Sequence, residues 1–104
     1  MDLSTAIREG ARRRPQAREA FFTYSRRGGV RSCALGAAYE ALSGKTDYTY
    51  AADDLCAAFP VLALAATCPV PDCRFSWPLI RVITHLNDGH WWTREAIADW
   101  VETL

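Results

Sequence analysis

Four side chains with metal-binding chemistry lie in the C-terminal half of the chain at a regular spacing. They follow the order Cys68-x4-Cys73-x11-His85-x4-His90. Two thiolates on a tight turn, followed by two imidazoles on a helix, make up the donor set of a closed tetrahedral zinc site. The Cys–Cys and His–His spacings match the two-Cys, two-His zinc finger, and the middle spacer is one residue short of its usual length of about twelve. The sequence therefore predicts one structural Zn²⁺ ion held by these four residues.

Three alternatives to a structural zinc site remain open from the residues alone. Cys68 and Cys73 could be free thiols, because cysteine is often simply buried, and the histidines could be ordinary hydrogen-bonding residues. The two cysteines could also form a disulfide, although a cytosolic protein keeps its thiols reduced. A catalytic metal site that includes Asp88 is disfavoured, because four good ligands leave the ion no open position. We therefore expect no catalytic residues and no enzyme activity.

The other two cysteines, Cys33 and Cys56, lie outside this spacing. Each stands among alanines and aliphatic residues. Cysteine in such surroundings behaves as a small buried hydrophobe. We expect both to pack in the core, with a redox or disulfide role as the lesser alternative.

The helix that would carry the histidines is poorly suited to reading DNA. Its base-contacting positions would be Pro78, Arg81 and Thr84, and two of these bond poorly to base edges. Aliphatic residues cover most of its circumference, at Leu79, Ile80, Val82, Ile83 and Leu86. A helix of that kind is buried by the rest of its protein. The zinc ion is then expected to stabilise a small core.

Positive charge is concentrated near the N-terminus, although the whole chain has a formal net charge of zero. Residues 1–31 carry a net +5 and residues 32–104 a net −5. Seven arginines form a candidate partner-binding surface: Arg12, Arg13, Arg14, Arg18, Arg26, Arg27 and Arg31. Guanidinium groups bind both phosphates and carboxylates. The surface could therefore be simply solvated, meet an acidic partner protein, or contact a nucleic-acid backbone.

Tryptophans cluster near the C-terminus, at Trp91, Trp92 and Trp100. Because aromatic side chains bury large areas and a small domain has few alternatives for its core, we expect these tryptophans to pack in the core around the metal. A partner surface anchored by tryptophan is the alternative.

Capping residues place the first and the middle helices. Ser4 or Thr5 can accept a hydrogen bond from the free backbone N–H groups of a first helix, which then runs to about Arg13. Asp53 or Asp54 can do the same for a short helix that ends before the following proline. Both helices are thus expected to be short.

Turn residues and composition complete the predicted architecture. Residues 21–33 are rich in strand formers around an Arg-Arg-Gly-Gly turn and predict a β-hairpin, with a helix through Phe22 as the alternative. Further helices are predicted over residues 34–42, from Pro78 and after Thr93. Half of the residues are hydrophobic and 23% are charged, as in ordinary folded domains. We expect a mainly α fold with small β-hairpins (α+β), built as one small zinc-stapled domain.

Two regions are expected within this compact domain. Residues 1–61 form a helical and hairpin region with the arginine-rich face. Residues 62–104 form a zinc-finger-like subdomain with a C-terminal helix. No basic stretch followed by an apolar run begins the chain, and no window reaches the roughly 18 apolar residues of a membrane span. We therefore expect a cytoplasmic protein without membrane contact.

Two strings of sequence extend beyond the metal-ligand spacing. One is CALGAAYEA at residues 33–41; the other is VITHLND at residues 82–88, followed by His90 and by WTREAIADW at residues 92–100. In these strings the chain resembles uncharacterised small phage and prophage proteins with a zinc-knuckle (Cys-Cys-His-His, zinc-finger-like) C-terminal half. The resemblance implies a phage-encoded protein in the host cytoplasm and no assigned activity.

The function expected from these features is binding rather than catalysis. We expect a non-enzymatic, phage-like zinc-binding protein that acts through protein contacts, as an inhibitor or adaptor of a host complex. The alternative is a nucleic-acid-associated accessory protein that uses the N-terminal arginines.

Overall fold

Helices and two small sheets alternate along the chain in the computed structural model, which describes residues 1–47 and 49–104. The elements of these residues are, in chain order, α1 (Leu3–Ala11), β1 (Phe22–Ser25), β2 (Gly29–Ser32), α2 (Ala34–Ser43), α3 (Ala51–Ala58), a short 3-10 helix (Pro60–Ala63), β3 (Ala65–Thr67), β4 (Ser76–Pro78), α4 (Leu79–Asp88) and α5 (Arg94–Glu102). Strands β1 and β2 form one antiparallel sheet, and β3 and β4 form the other. The expected α+β class, mainly α with small hairpins, is confirmed.

Helix α2 lies at the centre of the fold, and small residues let its neighbours approach closely. All of residues 34–40 are buried. A Cβ added to Gly10 of α1 would lie 1.9 Å from the carbonyl oxygen of Ala37, so α1 crosses α2 in backbone contact. A Cβ added to Gly36 would lie 2.1 Å from the carbonyl oxygen of Phe21, at the base of the β1–β2 hairpin. The two glycines therefore allow α1 and the hairpin to dock on α2.

The β1–β2 hairpin confirms the strand prediction for this stretch. Phe22 pairs with Ser32, and the strands meet at a turn that contains Arg26 and Arg27. Gly29 has a φ of 67°, in the left-handed region that glycine adopts readily. The helical alternative through Phe22 is wrong, because this turn reverses the chain and buries Phe22 from a strand.

The predicted cap of α1 is wrong by a few residues. Asp2, rather than Ser4 or Thr5, occupies the N-cap position. Its Oδ1 accepts from the backbone N–H of Thr5 at 2.8 Å and from the hydroxyl of Ser4 at 3.0 Å. Hydrogen bonds from Thr5 and Ser4 lower the pKa of the Asp2 carboxyl. A carboxylate that collects two donors is the better cap, and the helix begins correspondingly earlier.

Helix α3 also begins earlier than capping by Asp53 or Asp54 would place it. Tyr50 occupies the N-cap position without a side-chain hydrogen bond. The two aspartates lie in the first turn instead, where their negative charges interact favourably with the positive end of the helix dipole. The short helix is present, but its predicted cap is wrong.

Arg94, the first residue of α5, connects three separate segments. Its guanidinium group donates to the carbonyl oxygens of Ala11 (3.3 Å), Arg14 (2.7 Å) and Ser32 (3.3 Å). Burial lowers the pKa of Arg94, which is 8% exposed, and no carboxylate in residues 1–47 and 49–104 forms an ion pair with it. We name these contacts the Arg94 clamp. The clamp joins the end of α1, the end of β2 and the start of α5.

Helices α1 and α5 pack side by side. Arg8 of α1 lies 2.8 Å from an Asp99 oxygen and 3.1 Å from a Glu102 oxygen. These carboxylates raise the pKa of Arg8. Because both carboxylates are mostly exposed, water screens the pairs and they add little stability. The contact between the helices therefore depends mainly on buried apolar residues such as Ile7 and Ile97.

Buried apolar side chains from both predicted regions form one hydrophobic core. Leu35 and Leu55 contribute from residues 1–61, and Ile83 contributes from residues 62–104. The division at this boundary stays a prediction, and the core is continuous across it.

Replacing Gly10 with Ala is expected to destabilise the fold, although alanine favours helices. In an isolated helix the change would stabilise by about 1 kcal/mol. Here the new methyl group would overlap the carbonyl oxygen of Ala37. Separating α1 from α2 should lower the free energy of unfolding by about 2 kcal/mol or more. Urea unfolding followed by circular dichroism measures this loss.

Glu9→Ala, on the same helix, is the matched control. Glu9 is only half-buried, and its substitution should change stability by no more than about 0.5 kcal/mol. A Gly10→Ala variant as stable as the wild type would contradict the close crossing of α1 and α2.

Candidate metal centre

The β3–β4 hairpin presents two cysteines on its loop, residues 68–75. The backbone N–H of Cys68 donates to the carbonyl oxygen of Phe75 at 2.8 Å. The backbone N–H of Cys73 donates to the carbonyl oxygen of Val70 at 3.1 Å. The loop is therefore a tight turn that holds both thiols at the end of the hairpin.

Helix α4 carries His85 in its last turn, and the chain beyond the helix returns His90 to its side. The backbone N–H groups of Gly89 and His90 both donate to the carbonyl oxygen of His85, at 2.8 and 3.2 Å. A Cβ added to Gly89 would lie 2.9 Å from that oxygen, so glycine allows the tight wrap. The two imidazole rings lie 4.6 Å apart and nearly perpendicular. Two histidines five residues apart can therefore face one point.

Cys68, Cys73, His85 and His90 come together where the hairpin meets the helix. One ligand atom from each lies within 4.8 Å of those from the other three. Cys73 Sγ and His85 Nε2 lie 3.4 Å apart. In a tetrahedral zinc site with bonds of about 2.0 to 2.3 Å, neighbouring donor atoms are about 3.3 to 3.8 Å apart. The arrangement is therefore compatible with a metal site, and a small contraction would place four donors around one ion.

Burial disfavours the charged forms of two of these side chains. Burial raises the pKa of the Cys68 thiol, and the neighbouring Cys73 thiol raises it further. Burial lowers the pKa of His85, and the nearby His90 lowers it further by electrostatic repulsion. A neutral imidazole has the free lone pair that a metal needs, whereas a thiol must lose its proton to bind. A cation at the centre would stabilise the thiolates that burial disfavours.

His90 Nε2 is a buried ring nitrogen of the cluster without a hydrogen-bond partner among the described residues. Among the residues that the structure describes, two buried side-chain nitrogen atoms lack a hydrogen-bond partner, His90 Nε2 and Arg18 Nε. An unsatisfied buried polar atom costs about 1 to 3 kcal/mol. Coordination to a metal would satisfy the His90 nitrogen.

Aromatic contacts orient the imidazoles. Phe75 stacks on His85 with ring centroids 4.1 Å apart and planes 6° apart. His90 meets the same ring edge-on. These contacts fix the ring plane of His85 with its Nε2 near Cys73, as a preorganised ligand requires.

All four cysteines are free thiols, so the structure does not bear out a disulfide between Cys68 and Cys73. Cys33 caps α2, with its Sγ accepting from the backbone N–H of Gly36 at 3.3 Å. Burial raises the pKa of this thiol to about 11. Cys33 is therefore buried, as expected, whereas Cys56 is only half-buried on α3.

Three of the seven arginines in the predicted binding surface make contacts within the protein. Arg14 forms an ion pair with the buried Glu40 at 2.8 Å, and this carboxylate raises the pKa of Arg14. Arg13 donates to the carbonyl oxygen of Glu40 at 3.3 Å. The guanidinium carbon of Arg18 lies 4.4 Å from the ring centroid of Trp91. These contacts already engage part of the predicted surface.

The other four arginines, Arg12, Arg26, Arg27 and Arg31, are exposed. No carboxylate within the described part of the chain pairs with them. Arg12 follows α1, Arg31 lies in β2, and the remaining two form the tip of the hairpin. Partner binding by the seven arginines stays a prediction, with these four free to contribute.

The three tryptophans near the C-terminus also divide into two groups, two packed against the core and one exposed. Trp92 and Trp100 pack partly buried against the core, as expected. Trp91 is 69% exposed, and its φ of 59° lies in the left-handed region. A bulky residue in that conformation is strained. The core prediction is wrong for Trp91, because this backbone conformation turns its side chain to the surface.

A buried amide beside the cluster joins α4 to the N-terminal part of the chain, and no role was predicted for it. Asn87 is 1% exposed. Its Oδ1 accepts from Gln16 Nε2 at 2.9 Å and from the backbone N–H of Ala34 at 3.1 Å. Its Nδ2 donates to the carbonyl oxygen of Ala17 at 2.9 Å and to Asp88 at 2.7 Å. The sequence does carry a signal for this role, because Asn87 lies one helical turn after Ile83 on the apolar face of α4.

Helix α4 packs against the core through four buried aliphatic residues, as expected from the sequence: Leu79, Val82, Ile83 and Leu86. Arg81 and Thr84 are exposed on its other side. The helix packs against both α2 and α5. Its apolar face is therefore occupied by the protein itself.

No protein-family model, no curated protein and no solved structure matches this chain. The resemblance to phage proteins therefore stays a prediction. Over residues 1–47 and 49–104, the structure has no helix long and apolar enough to cross a membrane.

Cys33 is expected to resist alkylation in the folded protein. The thiolate is the reactive form, and a pKa of about 11 leaves little of it near neutral pH. Iodoacetamide labelling with and without concentrated urea, read by peptide mass spectrometry, should modify Cys33 only after unfolding. Cys56 is the internal control and should be labelled first. Rapid labelling of Cys33 in the folded protein would contradict its buried capping role.

Proposed function

We propose that this chain is a small, non-enzymatic zinc-binding protein in which the ion is structural. The observation that carries the proposal is the convergence of two thiols and two imidazoles, one with an unpartnered buried nitrogen. Sulfur and imidazole donors in a four-membered set are those that zinc prefers. Cys68, Cys73, His85 and His90 would hold the ion.

A structural role is favoured over a catalytic one by the ligand count. Catalytic zinc sites use three protein ligands and keep a position for water or substrate. Here four side chains converge on the site. Asp88, the carboxylate considered as a catalytic group, accepts a hydrogen bond from Asn87 instead. The proposal therefore assigns no catalytic residue.

The hairpin that carries the two cysteines is short. Strands β3 and β4 have three residues each. A two-stranded hairpin of this size is marginal in water. Coordination would fasten the loop at residues 68–75 to the end of α4, so that the free energy of metal binding becomes free energy of folding.

The mode of action that we propose is binding to a partner. The first candidate is a phage-like protein of the host cytoplasm that acts as an inhibitor or adaptor through protein contacts. Its support is the resemblance at residues 33–41, 82–88, 90 and 92–100, together with the separation of positive from negative charge along the chain. The second candidate, a nucleic-acid-associated accessory protein, is favoured by exposed arginines such as Arg12 and Arg31, which form no ion pair within the described part of the chain.

One equivalent of zinc per chain is expected in protein purified without chelators, as measured by plasma mass spectrometry. Cys73→Ser should lose the ion and lower the thermal unfolding temperature sharply or prevent folding, because one of four donors is removed. Well under one equivalent in the wild type would contradict the proposal.

Cys56→Ser is the matched control, since Cys56 lies outside the cluster. This variant should keep one equivalent of zinc. If Cys73→Ser is insoluble, Co²⁺ titration of chelator-treated wild type replaces it. Visible absorption typical of tetrahedral cobalt thiolates is expected, and its absence would equally overturn the proposal.

A further inference from the structure

Strand β3 has one edge without a partner strand. Among the strands of residues 1–47 and 49–104, β4 is the only one that pairs with it. The backbone N–H of Leu79 donates to the carbonyl oxygen of Leu64 at 2.8 Å, which continues the antiparallel register of β3 and β4. Because hydrogen-bonded pairs alternate along such a ladder, Ala65 and Thr67 make no ladder bonds to β4. Their N–H and C=O groups therefore point to the outer edge.

The outward backbone groups of Ala65 and Thr67 are open to another chain. Both residues are exposed, and no residue that the structure describes forms a hydrogen bond with these groups. The opposite edge of the hairpin is a poorer site for a further strand, because Pro78 of β4 has no N–H to donate. An unpaired strand edge of this kind can accept a strand from another protein.

An apolar groove of about 330 Å³ runs along β3. All three residues of the strand line it, and Leu64, Trp100 and Leu104 also contribute to its walls. Leu64 is 63% exposed and Leu104 is 59% exposed. Among the residues that the structure describes, none that lines this groove is charged. A bound strand would thus find backbone partners along its edge and apolar contacts for its side chains.

A second groove, of about 220 Å³, adjoins the first and carries acidic residues. Val61 and Leu104 line both grooves, whereas Asp2 and Glu102 line only the second. No lysine or arginine of the described chain lines either groove. The apolar groove therefore leads to an acidic end.

Negative charge is in excess at this acidic end. Glu102 shares the guanidinium group of Arg8 with a second carboxylate, Asp99. The amino group of Met1 lies near Asp2 and offsets part of its charge. Even so, these three carboxylates outnumber the two cations. We name the following residues the β3 site: Asp2, Leu64, Ala65, Thr67, Glu102 and Leu104.

We propose that the β3 site binds an extended peptide segment of a partner protein, with apolar side chains beside β3 and a lysine or arginine at the acidic end. The segment adds a strand to the hairpin through the outward groups of Ala65 and Thr67. Its cation meets the carboxylates of Asp2 and Glu102. This inference rests on the protein-contact mode of action in the proposed function and names the chemistry of the partner.

A second copy of this chain fits the β3 site less well. Two copies paired through β3 would bring together the sequence Ala-Ala-Thr, which has no cation for the acidic end. Three residues make a line of contact only about 10 Å long. Stable dimers bury about 1,600 Å² in total, which so short a strand does not approach. A nucleic acid is disfavoured by the carboxylates themselves.

The test begins with a random library of eight-residue peptides displayed on yeast and selected against the full, zinc-containing protein. Selected peptides should alternate apolar residues and carry lysine or arginine at one end. The best peptide is synthesised with a fluorescent label, and anisotropy gives its dissociation constant. Methylating its alternate backbone nitrogens on the side that faces β3 should weaken binding about tenfold or more. Selection of no peptide, or binding that ignores this methylation, would overturn the proposal.

Thr67→Pro tests the strand edge from the side of the protein. Proline removes the outward N–H at this position and no bond of the β3–β4 ladder, as edge strands tolerate. Affinity for the selected peptide should fall about tenfold. Circular dichroism and zinc content establish that the variant is folded. If Thr67→Pro does not fold, the methylated peptide decides the question.

Ser76→Pro is the matched control. Ser76 lies opposite Thr67 in the register, so its N–H points to the other edge of the hairpin. Each proline variant also loses the same contact of 3.2 Å between the two hydroxyl groups. Ser76→Pro should leave affinity within about twofold. Equal losses for the two variants would overturn the assignment to the β3 edge.

Asp2→Asn tests the acidic end. Asparagine also caps helices well, so the change removes the charge and keeps the start of α1. Binding of the selected peptide should weaken about threefold and depend less on salt. A peptide with alanine in place of its basic residue should bind the wild type and Asp2→Asn equally. No difference between the two proteins toward the basic peptide would overturn the role of the acidic end.

Sedimentation and zinc content separate this proposal from the others. A dimer that Thr67→Pro dissociates would overturn the partner peptide in favour of a second copy. Protein with one equivalent of zinc that selects no peptide overturns the β3 site alone. Folded protein that shows the predicted peptide binding and variant effects but lacks zinc overturns the structural metal and supports the β3 site.

Discussion

The fold depends on hydrogen bonds to the backbone of one segment that is neither helix nor strand. Residues 12–21 cross between α1 and β1 without regular structure, apart from one isolated bridge at Gln16. A buried backbone polar group without a hydrogen-bond partner lowers the free energy of unfolding. Here two polar side chains of the C-terminal half are the hydrogen-bond partners. Arg94 binds the carbonyl oxygen of Arg14, and Asn87 binds that of Ala17. The buried guanidinium of Arg94 has no carboxylate partner among the described residues, and it is tolerated because carbonyl and hydroxyl oxygens accept its hydrogen bonds. The positions of α1, the hairpin and the two C-terminal helices are therefore interdependent.

The candidate metal centre is built on this frame. Asn87 lies between the two histidines in sequence, and its four hydrogen bonds fix the last turn of α4 against the N-terminal segments. The same turn presents His85 to Cys73. The hairpin that carries the cysteines has strands of three residues each, so the cluster is where a short hairpin and a well-anchored helix meet. An ion at that point would complete the polar bonding of His90 as well as fasten the hairpin.

Features set by nearby residues were predictable from the sequence. The four clustered side chains, Cys68, Cys73, His85 and His90, are found by their spacing, because a turn and a helix end each bring together residues only a few positions apart. The β1–β2 hairpin follows from its glycine turn, and the burial of α4 from its aliphatic residues. Features set by distant partners were not predictable. Arg94 bonds to groups 62 to 83 residues away in sequence, and nothing in its own neighbourhood indicates a buried cation. Trp91 was assigned to the core because tryptophan is usually buried, but its left-handed backbone conformation depends on the contacts of its neighbours. The predicted cap of α1 was wrong for a smaller reason, since Asp2, Ser4 and Thr5 lie close in sequence and each carries a side-chain oxygen of the kind that caps a helix.

The packing of α1 along α5 has a consequence for synthesis of the protein. The residues that pair across it, such as Arg8 and Glu102, are 94 positions apart. On the ribosome α1 is made well before its partner helix α5, because the two helices are separated by all the intervening elements. Contacts of such long range are slow to form and cannot assist early folding. The apolar side of α1 can meet α2 sooner, through the crossing at Gly10, and this contact is what can shield it meanwhile. The crossing at Gly10 is therefore the contact through which α1 can bury its apolar side before α5 is synthesised.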